Sequence, residues 1–154
     1  MGDEGIQALV DGLAEQTTLT ALNVRGNAFG FGGALTLATF MNTSRTLLEL
    51  SISNNNIGEE GFDVFGQALS VNSVLTRLEA FACDATVAIV TRLIEQLKPN
   101  RSLTVLDLRA IDFDDVDVIA AAIGDKLNLQ LRLDAPLMGN AALTAKMDAV
   151  QSVR

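Results

Sequence analysis

Apolar residues return every 28 positions along most of this chain, and few folds tolerate so strict a spacing. Leu19, Leu22, Val24, Asn27 and Phe29 recur as Leu47, Leu50, Ile52, Asn55 and Ile57, and again as Leu75, Leu78, Ala80, Cys83 and Ala85. A fourth copy keeps Leu103, Leu106 and Leu108, carries Ile111 where Asn or Cys is expected, and closes on Phe113. One such copy cannot bury its own apolar face. Successive copies must therefore stack, so that a single core runs through all of them.

The shared pattern, L-x-x-L-x-L-x-x-N-x-I, is that of a leucine-rich repeat. Its long form continues from Asn55 and Ile57 through Gly58, Gly61, Phe65, Leu69 and Asn72 to Leu75, and it resembles the ribonuclease-inhibitor class over nearly the whole chain. The resemblance implies an α/β solenoid, a right-handed horseshoe arc with parallel strands on the concave face and helices on the convex one. The same class occurs in sensor regions of NOD-like receptors, in activators of the GTPase Ran and in actin regulators. The resemblance fixes architecture better than function. The absent catalytic chemistry and the open N-terminal flank point to a non-enzymatic protein-interaction scaffold or a structural subunit of a larger assembly, with a regulator of a partner enzyme, which would resemble the Ran-activator type, as the alternative. The expected organisation is one domain over 1–154: a half-repeat helix at 1–18, repeats at 19–46, 47–74, 75–102 and 103–128, and a degenerate strand with a capping helix at 129–154.

Composition narrows the function classes. With no His, Trp or Tyr and one Cys, the chain cannot supply a Ser-His-Asp triad, a Cys-His pair or a His-based zinc site. No enzymatic activity, cofactor or metal is expected. A net charge of -8 opposes a nucleic-acid partner, which would require a basic stripe. The N-terminal residues lack a signal-peptide pattern, no stretch of about 18 apolar residues is present, and Cys83 has no partner for a disulfide. Together these features point to the cytoplasm or another reducing intracellular compartment. On the same reading the sequons at Asn42 and Asn100 are unmodified loop.

The two ends differ. Gly2, Gly5, Leu9, Leu13 and Leu19 stand 56 positions before Gly58, Gly61, Phe65, Leu69 and Leu75, so the chain opens on the helical half of a repeat. An uncapped N-terminal flank follows, to be covered by more of a longer array or by another subunit. Toward the other end Leu127, Leu129, Leu131 and Leu133 alternate two or three residues out of register. Pro136 and Gly139 then precede an amphipathic stretch with Leu143, Met147 and Val150 at helical spacing.

Alternation within each strand separates buried leucines from residues on the open face. The candidate partner-binding residues are Asn23 and Arg25; Glu49, Ser51 and Ser53; Arg77, Glu79 and Phe81; and Val105, Asp107 and Arg109, with Arg132 and Asp134 beyond them. Arg25, Phe81 and Arg109 stand out because Arg and aromatic residues are enriched among interface anchors; alternatively, Phe81 fills the gap beside small Ala80. Asn27, Asn55 and Cys83 form a structural ladder at the turn. On the convex side, Val87 and Ile94 exceed what one buried stripe requires and are expected to point outward or to join a generous core.

Three features resemble chemistry. The glycine-rich run 26–33 lacks the Lys-Ser/Thr ending of a phosphate loop, and Gly30 and Gly33 match Gly58 and Gly61 at the strand-to-helix turn. Asp112, Asp114, Asp115 and Asp117 lack EF-hand spacing, with Ile123 at the bidentate position, and suit a helix entrance. Cys83 occupies the inward rung and is expected to be structural.

Overall fold

The computed structural model describes residues 1–109 and 129–132. Helices and strands alternate along the chain: α1 (Gly2–Leu13), β1 (Ala21–Asn23), α2 (Phe31–Thr43), β2 (Glu49–Ser51), α3 (Gly58–Val71), β3 (Arg77–Glu79), α4 (Val87–Gln96), β4 (Val105–Asp107) and β5 (Gln130–Arg132). The strands form a five-stranded parallel sheet in chain order, and each helix packs on the next. Strands sit about 4.8 Å apart, whereas helices with their side chains are about 10 Å across. Stacking the two therefore bends the sheet into the concave lining of an arc.

The register carries the sequence period into hydrogen bonds. Leu22 pairs with Leu50, Leu50 with Leu78 and Leu78 with Leu106, each at the predicted 28-residue offset. The last pairing departs from it, since Leu106 meets Leu131, 25 residues on, which is the short step that the leucine alternation foreshadowed. Ile111, Phe113, the acidic group Asp112 to Asp117, Asp134 and the expected capping helix lie outside the described residues.

Inward leucines of the inner strands are sealed: Leu47, Leu50, Leu75, Leu78, Leu103 and Leu106 are all buried. At the N-terminal side Leu9, Leu13, Leu19 and Leu22 are only half-buried, because β1 is an edge of the sheet and, among the described residues, α1 has a neighbouring helix on one side only. Of the two readings for α4, outward residues or a generous core, the core reading holds. Ile94 is 1% exposed and Val87 is packed partly against the core, so the apolar stripe of this helix is broad and turned inward.

Backbone groups at the turns are satisfied by side chains one repeat apart. Asn55 donates from Nδ2 to the carbonyls of Ile52 (2.7 Å), Ser53 (3.1 Å) and Val24 (3.1 Å), and its Oδ1 accepts from the Asn27 N–H at 2.8 Å. Asn27 bonds the Val24 and Arg25 carbonyls, and the Cys83 thiol donates to the Ile52 carbonyl at 3.3 Å. The turn requires left-handed backbone at Gly26 (φ 69°), Asn54 (φ 56°) and Ala82 (φ 51°), the same position of three repeats, and a second such residue follows at Ala28 (φ 54°) and Asp84 (φ 56°). At Gly61 a Cβ would come within 2.5 Å of Ile57 Cγ2, and at Gly33 within 2.7 Å of the Phe29 ring, so these two glycines let helix and turn close together.

A second ladder, which sequence reading did not single out, joins each helix to the next strand. Ser44 Oγ accepts from the Leu47 N–H, Asn72 Oδ1 from the Leu75 N–H at 2.8 Å, and Asn100 Oδ1 from the Leu103 N–H at 2.8 Å. Asn72 Nδ2 donates back to the Met41 carbonyl, and Asn100 Nδ2 to the carbonyls of Leu69 and Asn72. The expected loop assignment of the sequons fails for Asn42, which lies in the last turn of α2, and holds for Asn100, which lies in the loop after α4 as a buried rung.

Replacing Asn55 or Asn100 with Ala leaves buried carbonyls and N–H groups without partners, and each change is expected to cost about 1–3 kcal/mol. Exposed Asn42→Ala should stay within about 0.5 kcal/mol. Urea unfolding of the three variants checks this, and equal midpoints would refute the ladder's contribution.

Candidate functional site

Four successive repeats place Arg25, Ser53, Phe81 and Arg109 in one row at the end of the strands, 28 residues apart. Ser53 is the smallest of them, and this decides the geometry. At about 4.8 Å per strand, Arg25 must cross one strand to reach Phe81. The short serine lets it pass, and its guanidinium carbon lies 4.7 Å from the ring centroid. Arg109 approaches the same ring to 5.4 Å from the other neighbouring repeat. Both distances fall within the range of cation–π attraction. Asn54 adds to the arrangement: with its amide oxygen turned toward Arg25, it accepts from Nη2 at 3.2 Å and Nε at 3.3 Å.

The same covering corrects part of the expected surface. Ser51, Ser53 and Asp107 are buried, not open to a partner. Ser51 lies between longer side chains of its row, Asn23 and Glu79. Ser53 lies beneath Arg25 and its Oγ accepts from the Phe81 N–H at 3.3 Å. Asp107 has a wholly buried carboxylate, onto which Arg109 folds as a fork: Nε donates to Oδ1 at 2.9 Å and Nη2 to Oδ2 at 2.7 Å, while the Arg109 side chain stays 49% exposed. Asn23, Arg25 and Glu49 are exposed, and Arg77, Glu79, Phe81 and Val105 half-buried.

Electrostatics divide the molecule by face. Among the described residues the open face carries Arg25, Arg77, Arg109 and Arg132 against Glu49, Glu79 and Asp107, on a chain of net charge -8. Arg77 lies 3.9 Å from Glu49 and 4.0 Å from Glu79, long and partly exposed contacts worth little individually. The helical side is acidic, with Asp3 and Glu4 opening α1 and Glu59 and Glu60 opening α3. There Arg92 bridges Glu59 and Asp63.

A second surface feature lies between α1 and α2. A groove of about 530 Å³ is lined in part by Val10, Ala14, Leu35 and Phe40, with Leu35 47% exposed. Sequence reading had assigned it nothing. Cys83 shows no sign of a nucleophile: burial pushes its thiol up from 9.0 to about 11, opposed more weakly by hydrogen bonds from the Asn55 and Asn54 backbone. Among the described residues there is no group of three or more His, Cys, Asp or Glu side chains that could hold a metal, and no helix long and apolar enough to cross a membrane.

Known proteins place this geometry. The Leucine Rich repeat family profile matches residues 15–38 and 43–65. Pig (Sus scrofa) ribonuclease inhibitor is 32% identical over 120 residues, 77% of this chain and 26% of that protein. Chicken (Gallus gallus) leucine-rich repeat-containing protein 45 is 32% identical over 81 residues, 51% of this chain and 12% of its own length. The chain thus spans about a quarter or less of the length of these relatives. The structure of leiomodin-1 actin-binding site 2 superposes with a TM-score of 0.74 at 16% identity, covering 97% of this chain and 89% of that one, which is a likeness of fold.

Two outcomes follow for the site. Asp107→Ala strips Arg109 of its carboxylate and is expected to cost about 2–3 kcal/mol, measured by urea unfolding; an unchanged midpoint would show that the fork contributes nothing. Cys83 should resist iodoacetamide at pH 8 until the protein is unfolded. Because its folded pKa lies above the ordinary one, its contribution to stability is full below about pH 9 and declines toward pH 11. Rapid labelling of the folded chain at pH 8 would contradict its burial.

Proposed function

From a leucine-rich repeat protein of the ribonuclease-inhibitor-like class, which this chain is, we propose a non-enzymatic scaffold that holds a protein partner on the concave face. The wider class consists of protein-interaction modules, generally non-enzymatic. The observation that carries the finer reading is the row of Arg25, Phe81 and Arg109, where two arginines are drawn onto one half-buried aromatic ring. Interface anchors are typically Arg and aromatic side chains held in one conformation, because less freedom is then lost on binding. Asn23, Glu49, Arg77 and Glu79 would supply the polar rim around it.

A second reading has its own support. The unpaired edge of β1 and the half-exposed Leu9, Leu13 and Leu22 suit a subunit that covers the N-terminal flank and continues the stack. Either arrangement fits one domain built into a larger assembly in a reducing intracellular compartment. A regulator of a partner's catalysis would present the same rim to its target, and stimulation of GTP hydrolysis would identify that role.

Native mass spectrometry of the gently isolated protein, with cross-links mapped in the particle, tests the proposal. The expected result is a defined complex whose cross-links fall on the strand side and which Ala21→Trp, an uncharged obstruction on the open face, breaks up. Cross-links confined to the helices, with assembly indifferent to Ala21→Trp, would overturn the concave-face reading.

A further inference from the structure

We infer that Arg25, steadied by Phe81 and Asn54, is a receptor for a carboxylate carried by an acidic, extended segment of the protein partner. This rests on the concave-face reading above and adds the chemistry of what is held there.

The first ground is the state of the charge. Arg77 lies between Glu49 and Glu79, Arg92 between Glu59 and Asp63, and Arg109 on Asp107. Arg25 has no carboxylate within ion-pair distance among the described residues; its polar neighbour, Asn54, is neutral. An arginine fork matches a carboxylate with two parallel hydrogen bonds, and such charge-assisted pairs are among the stronger polar contacts.

The second ground is preorganisation. The ring at 4.7 Å and the Asn54 amide together hold a side chain that would otherwise sample many rotamers. Asn23, in the neighbouring row, spends its Oδ1 on the Arg25 N–H at 3.0 Å, which leaves its Nδ2 donors turned to other acceptors. A carboxylate seated over Arg25 would meet donors from both residues.

The third ground is the contrast in charge. The whole chain carries -8, and acidic residues open α1 and α3 on the helical side, whereas among the described residues the open face carries four arginines against three carboxylates. A segment rich in Glu or Asp is thus steered to one side. The same charge opposes an oligonucleotide, whose phosphates would meet the acidic remainder of the molecule.

The test uses the full chain and a fluorescein-labelled, end-capped peptide of alternating Glu and Ser, beside the same peptide with Gln for Glu and a single-stranded oligouridine. The result expected by NMR is that the Glu peptide shifts the Arg25 Nε–Hε signal and amides of β1 to β3, and that the Gln peptide does not. By anisotropy, Arg25→Gln should weaken binding roughly tenfold, Arg25→Lys less, and rising salt should weaken it steadily. Arg25 is exposed, so these variants should melt cooperatively within a few degrees of the parent, the loss of one exposed ring contact being small, which excludes misfolding. No binding at millimolar peptide, equal binding by Arg25→Gln, or tighter binding of oligouridine would overturn the inference. Ala21→Trp separates the two levels. Peptide binding lost in Ala21→Trp but kept in Arg25→Gln would leave the face as the interface and remove carboxylate recognition. Binding indifferent to both variants would remove both.

Discussion

A three-residue strand is useless alone. Its polar edge must find another, and in this chain the only backbone that fits is another copy of the same repeat. The parallel pairings that join Leu22, Leu50, Leu78 and Leu106 place every repeat at a constant step from the last. Once that step is set, all else lies in rows: leucines stack on leucines inside, turn amides on turn amides, and the open-face residues of one strand beside those of the next. Burial of Leu47, Leu75 and Leu103, and the covering of Ser53, are both consequences of it.

Polar groups in this core are of two kinds. Asn55, Asn72 and Asn100 are neutral amides that answer backbone groups which the sharp bends leave unmade, so their burial costs little that is not returned in hydrogen bonds. Asp107 is a charge, and its burial is tolerable because an arginine two residues later closes over it with both nitrogens. The amides recur with the period. The carboxylate does not, for the equivalent positions of the earlier strands are Asn23, Ser51 and Glu79.

Legibility followed the same division. The strand positions, the broken register at Leu131 and the ladder of Asn27, Asn55 and Cys83 were readable because each recurs at a spacing visible in the chain. The ladder of Asn72 and Asn100 was equally available at the same spacing, but a search for apolar signatures passes over it. Ser51, Ser53 and Asp107 were misplaced on an open surface because alternation tells which way a side chain starts, and not how far a neighbour reaches across it. Of the two readings open for Val87 and Ile94, the generous core is the one found, since α4 packs on α3 and its apolar residues join the one core.

The sequence by itself determined the repeat, its length, the inward leucines and the exclusion of histidine-dependent chemistry, because these depend on residue type and spacing alone. Tertiary structure decided which polar residues remain accessible, and that Arg25 and Arg109 meet on Phe81. For Arg25 that meeting depends on a side chain extending sideways over a strand, past a serine too small to block it, while Arg109 comes from the adjacent repeat. Spacing along a chain records which residues share a row. Only packing in three dimensions settles which of them lie on top.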